Sequence, residues 1–179
     1  MSSFTGFIPR PSKPAIDIGS GELTLTRMRP QSPTEPMGML FVKCYRLSEP
    51  GIAEYALHHR EYVDDNLDKR RRICFCYDVR GLEIPADLGM FRNLVSVHQS
   101  CKSAYEQVLV CTAIITNNPL MTALINGMFT TLYRPTRPVR LFHNPTTIDD
   151  FISECSAPAL CGSVQLFSSR DASPSPDST

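Results

Sequence analysis

Apolar residues alternate with polar ones in one part of this chain, run together in others, and recur every three or four positions in the rest. In GELTLTRM, Leu23 and Leu25 alternate with Thr24 and Thr26, the period-two pattern of a half-buried strand. MLFVKCYRL reads as a second strand, and the proline-rich RPQSPTEPMG makes the pair a hairpin with a long loop. EPG then punctuates the chain, and Ile52, Tyr55, Ala56, His59, Tyr62 and Val63 follow at helical spacing. RICFCYDV is apolar at nearly every position, so both faces of this strand should be covered, as in the centre of an α/β sheet. After RGLEIPAD, Asp87 can cap a helix whose stripe is Leu88, Phe91, Leu94, Val95, His98, Cys101 and Tyr105. QVLVCTAIITN is another strand covered on two sides. Asn118 and Pro119 then form a cap and first-turn pair for a stripe of Met121, Leu124, Ile125, Met128, Phe129 and Leu132. RPVRLFHN reads as the last strand, and TIDDFISE as a short helix with Thr147 as cap and Asp149 and Asp150 in its first turn.

The order β-β-α-β-α-β-α-β-α predicts an α/β fold. It should be a single mixed sheet with helices packed on it, a largely parallel core opened by an antiparallel hairpin. This core spans residues 21–154. Residues 1–20 read as a proline-rich arm, because proline removes backbone donors and fixes φ. Its isolated apolar residues Phe4, Phe7, Ile8 and Ile16 are candidate anchors on another chain. Residues 155–179 read as a C-terminal arm, of low complexity from about Ser168 onward.

Composition narrows the classes. The 179 residues, 42% hydrophobic and 20% charged, suit one globular domain. Eighteen basic residues balance eighteen acidic ones, so no overall field draws in nucleic acid or an anionic membrane. No charged segment followed by an apolar one opens the chain, and VLVCTAII is too short to span a bilayer. Seven cysteines without regular spacing read as free thiols, which implies a reducing compartment, the cytosol or nucleus.

YDVRGLEIPADLGMFRNL, VLVCTAIITNNPLMTALINGMF and VRLFHNPTTIDDFI together resemble the strand–loop–helix units of the STAS domain, the fold of anti-sigma-factor antagonists. The likeness is one of pattern and covers most of the chain. In that family a serine at the start of the helix is phosphorylated by a partner kinase, which releases a bound partner. The matching residues here are Ile84 to Gly89, with Ala86 or Asp87 nearest that position and no serine or threonine. The resemblance therefore implies partner docking without the phospho-switch. Aspartate supplies roughly half the charge of a phosphoserine.

Candidate chemistry is sparse. Cys74 and Cys76 share one strand face, about 7 Å apart, and suit core packing better than zinc, which needs four ligands. His58 and His59 diverge by about 100° on a helix, and His98 sits on an apolar stripe. His143, with Asn144, stands where α/β ligand crevices form. Ser96 or Ser100 with His98 and Asp78 has triad composition but lacks a nucleophile elbow, and no phosphate-binding glycine motif is present. Asp64, Asp65 and Asp68 read as a solvated edge, and DKRRR as the cationic end of a helix. SPSPDST offers Ser173 and Ser175 as phosphate acceptors.

Two functional classes follow. The first is a non-catalytic interaction or structural subunit of a larger intracellular or viral assembly, such as a minor component of a virus particle. It would bind other proteins, needing neither cofactor nor metal and contacting neither nucleic acid nor membrane. The second is a ligand- or partner-binding regulator, anti-sigma-antagonist-like or similar to lipid-binding folds of the Sec14 type. Its crevice would hold Asp78, Glu83, Asp87, Asn117, Asn118, His143 and Asn144, with Thr116 beside them.

Overall fold

In a computed structural model, residues 13–19, 21–28, 37–84, 87, 89–157 and 166–168 are described. The chain order is β1 (Ile16–Ile18), β2 (Leu23–Met28), β3 (Met37–Cys44), α1 (Glu49–Asp68) and β4 (Arg72–Asp78). It continues with α2 (Gly89–Ser100), α3 (Lys102–Val108), β5 (Leu109–Ile115), α4 (Pro119–Thr131), β6 (Val139–Phe142), α5 (Ile148–Ser156) and β7 (Leu166–Ser168). Among the described residues the seven strands form one mixed sheet in sequential order. The pairs β1–β2 and β2–β3 are antiparallel, and every later pair is parallel. The α/β class, with helices packed on a single mixed sheet, is the one the periodicities predict.

The alternation of side chains sorts the core by face. Leu40, Val42, Ile73, Phe75, Ile114, Val139 and Leu141 meet α1, α2, α3 and α4 on one side. Cys74, Cys76, Cys111, Ala113, Ile115 and Phe142 meet α5 on the other. The register slips between β4 and β5, where Ile73 faces Leu109 but Cys74 faces Cys111. Val110 is the extra residue of this bulge, so Val110 and Cys111 both join the α5 side.

Several boundaries differ from the sequence expectation. Ile16, read as an arm anchor, pairs with Leu25 in β1, and Ile18 beside it is fully buried. Gly19 and Gly21, at φ +58° and +98°, make the turn that lets so short a strand fold back onto β2. The other anchors, Phe4, Phe7 and Ile8, lie outside the described residues, as do Ser173 and Ser175. EPG does not interrupt the chain; it opens α1. Ser48 accepts from Gly51 N–H, and Pro50 sits in the first turn, where no donor is needed. Glu22, buried under this turn, accepts from Ser48 Oγ at 2.5 Å and from Arg46 Nη2 at 2.8 Å. The long helix expected after Asp87 is two helices, broken at Cys101, whose N–H turns to His98 O. Thr147 makes no side-chain cap; Asn144 instead receives Thr146 N–H at 3.1 Å and opens a 3₁₀ turn ahead of α5.

Candidate functional site

The parallel order sets the C-terminal ends of β4, β5 and β6 side by side, as a loop crevice requires. Beyond β5 the chain goes to α4 on one face, and beyond β6 to α5 on the other. A gap is expected between two such loops, but here backbone and imidazole close it. Thr116 N–H donates to Phe142 O at 2.9 Å, and His143 Nδ1 donates to Thr116 O at 2.9 Å. This bond fixes the His143 tautomer and leaves Nε2 outward.

Most other crevice residues are likewise engaged locally. Asp78 is gripped by Arg80, through Nε at 2.9 Å and Nη2 at 2.7 Å. Burial works against the Asp78 charge, yet the Arg80 bonds prevail and its carboxyl titrates below the usual range. Asp87 accepts the first amide of α2, Gly89 N–H, at 2.7 Å, and Asn118 accepts those of Leu120 and Met121. Glu83 is exposed, its N–H tied to Tyr45 O. Asp78 and Asn117 do share an open cleft of about 350 Å³ with Lys43, Tyr45 and Arg80. Glu83, Asp87, Asn118, His143 and Asn144 stand outside it. The crevice is a set of helix caps and strand-end clasps.

The richer constellation lies inside, on the face covered by α1 to α4. Tyr55 and His59 come from α1, Phe75 and Tyr77 from β4, His98 from α2 and Tyr105 from α3. Tyr105 Oη is 3.0 Å from His59 Nε2 and 2.9 Å from His98 Nδ1. Tyr55 and Tyr77 hydroxyls are 2.8 Å apart, and each is 3.5 Å from His98 Nε2. Phase on the helices explains the meeting: Tyr55 and His59 are four residues apart on one face of α1. Phe75 packs among the rings, with its centroid 5.1 Å from His59 and 5.5 Å from Tyr105.

Burial holds the His98 imidazole down to about 4, and His59, wholly enclosed, falls well below its usual value by burial and by the neighbouring His98. Burial pushes the Tyr55, Tyr77 and Tyr105 hydroxyls up. Both imidazoles are therefore neutral and all three phenols protonated near pH 7. A neutral set of this kind orders a core and can offer or take a hydrogen bond.

On the α5 face the thiols pack as small apolar groups. Burial lifts Cys76 to about 12 and raises Cys74 further. Half-buried Cys155 is held lower by a hydrogen bond from Cys111. No group of three His, Cys, Asp or Glu among the described residues could hold a metal ion. No helix among them is long and apolar enough to cross a membrane. Sequence reading saw Tyr55, His59, His98 and Tyr105 on helical stripes and Phe75 and Tyr77 in a covered strand, and missed their meeting. The available signal was tyrosine and histidine at core positions of two helices facing a tyrosine-bearing strand.

One further surface stands out. From Pro119 to Tyr133 no residue is charged, and Leu120 and Leu132 are 57% and 39% exposed. The inward residues of α4 are Met121 and Ile125. The chain matches no family model, no curated protein and no solved structure.

Proposed function

We propose that the protein is a non-catalytic subunit that binds other protein chains within a larger assembly. The observation that carries this reading is the outer side of α4, an uncharged and partly exposed apolar helix on a chain otherwise 20% charged. Such a surface is costly to leave in water and suits burial against a partner. Most polar groups of the crevice are already occupied, by helix caps and by the Asp78–Arg80 pair. The proline-rich segment bearing Phe4, Phe7 and Ile8 would add extended contacts of the β-addition or pocket type. The resemblance to STAS domains, which dock protein partners, agrees with this reading.

A site-specific photo-cross-linker tests it in the cells that make the protein. Placed at Leu120, it should yield adducts with another polypeptide. Placed at Leu57, equally apolar and 72% exposed but on α1, it should yield far fewer. Equal adducts at both positions, or none at Leu120, overturn the proposal.

A second reading, a ligand-binding regulator, is favoured by a different observation. The same helix α4 forms one wall of a partly open apolar cavity.

A further inference from the structure

The cavity lies between the sheet and the helices and has a volume of about 110 Å³. Phe91 and Leu94 of α2, Met121 and Ile125 of α4, Ile114 of β5 and Val139 of β6 form much of its wall. Tyr77, His98 and Tyr105 of the inner cluster also reach it.

Hydrogen counting shows what those polar groups still lack. Three phenols and two neutral imidazoles carry five hydrogens in all. If His98 bears its hydrogen on Nδ1, it donates to Tyr105, Tyr105 donates to His59 Nε2, and Tyr77 and Tyr55 donate in series to His98 Nε2. The hydrogen on His59 Nδ1 then has no acceptor, and that atom is fully buried without a partner. If His98 bears it on Nε2 instead, His59 donates to Tyr105, Tyr105 to His98 Nδ1, and His98 to the tyrosine pair. One phenolic hydrogen is now left over, and with Tyr55 donating to Tyr77 it belongs to Tyr77, on the cavity wall. Every arrangement leaves one donor without an acceptor inside the cluster. His59 Nδ1 is without a partner in both arrangements; what differs is the spare hydrogen, which is sealed in at His59 in the first and reaches the cavity wall in the second, where a bound group can accept it.

We propose that this cavity is a binding site for a compact, uncharged, apolar molecule bearing a single hydrogen-bond acceptor, which takes the hydrogen of the Tyr77 hydroxyl. A ketone or aldehyde on one carbocyclic ring is the simplest member of the class. The size follows from volume: a closed apolar cavity of about 150 Å³ admits benzene, and this one, smaller at about 110 Å³ but partly open to the surface, seats a single ring with part of its edge at the opening. The neutrality follows from the wall: a carboxylate would lose its water among apolar side chains, and Arg137 at the edge directs Nη2 to Glu106 O. The site is independent of the docking reading, because it needs no second chain.

The test is a titration of the full chain with cyclohexanone, methylcyclohexane and benzoate, followed by amide chemical shifts. Cyclohexanone should saturate, with shifts centred on Tyr77, Leu94 and Met121. Tyr77→Phe should weaken cyclohexanone roughly three- to tenfold, the value of one hydrogen bond, and leave methylcyclohexane unchanged. Leu94→Trp and Ile125→Phe, which fill the cavity from α2 and from α4, should each abolish both. No saturable cyclohexanone binding, binding that survives both filling variants, cyclohexanone affinity unchanged in Tyr77→Phe, or benzoate binding as tight as the ketone each overturns the proposal. Any of these failures leaves the cross-link at Leu120 as a separate question.

Discussion

The two faces of the sheet solve the same packing problem with different materials. Toward α5 the two middle strands present Cys74, Cys76, Cys111 and Ala113, small groups that let one short helix lie close, and the ring pair there, Phe142 on Phe151, carries no polar tip. Toward α1, α2, α3 and α4 they present Phe75 and Tyr77, and the helices reply with Tyr55, His59, His98 and Tyr105. Small uncharged groups pack without polar obligations. Large rings with polar tips must be hydrogen-bonded, and their shapes leave space between them. The cavity and the unmatched donor both lie on the ring-bearing side. Capacity for recognition comes with the harder packing.

The largest expected effect comes from removing the ring at the middle of that side. Phe75→Ala should cost about 3–5 kcal/mol in urea unfolding. Cys111→Ala on the opposite face removes about one methylene-sized group and should cost about 1 kcal/mol. Equal costs would break the contrast between the faces.

Acid should act through the ring-bearing side next. The native His98 value of about 4 lies below its ordinary 6.5, so the unfolded chain binds a proton that the folded one refuses. Stability is then full above about pH 6.5 and falls as pH drops toward 4, by about 3 kcal/mol from His98 alone. His59 shifts the same way and adds to the loss. Glu22, held low by Ser48 and then Arg46, extends it below its usual 4.5. Equilibrium unfolding from pH 7.5 to 4.5 checks this, and His98→Phe should flatten the slope by close to one proton.

Much of this architecture was legible in the sequence, because strand and helix periods report burial directly. Cys74 and Cys76 announced a strand covered on both faces, and Asp87 and Asn118 announced helix starts. The break at Cys101 was not legible, since the apolar stripe runs on through it from His98 to Tyr105. Nor was β1, where three residues beside prolines gain their pairing from β2 rather than from their own pattern. Asp78, Asn117 and His143 lie at or just beyond strand ends, but spacing alone does not show whether a side chain is satisfied by its own neighbours. Asn118, Asn144 and Asp78 are all satisfied in that way.

Smaller effects refine the comparison. Tyr105→Phe removes the hydroxyl between His59 and His98 and should cost about 1–3 kcal/mol, more than a surface hydroxyl, because two buried ring nitrogens lose their partner. Among the thiols of the described residues, Cys155 should react first with a maleimide under native conditions, being half-buried and held low by Cys111. Cys44 and Cys76, lifted to about 12 by burial, should react only as the protein opens. Mass mapping of the labelled peptides gives the order.

Xenon tests the difference between the faces most directly, because it seeks dry apolar space and perturbs little. In xenon-pressurised crystals of the full chain, the atom should occupy the space bounded by Leu94, Met121, Ile125 and Ile114. No xenon should lie between the sheet and α5. Xenon beneath α5, or none on the ring-bearing side, would contradict the account.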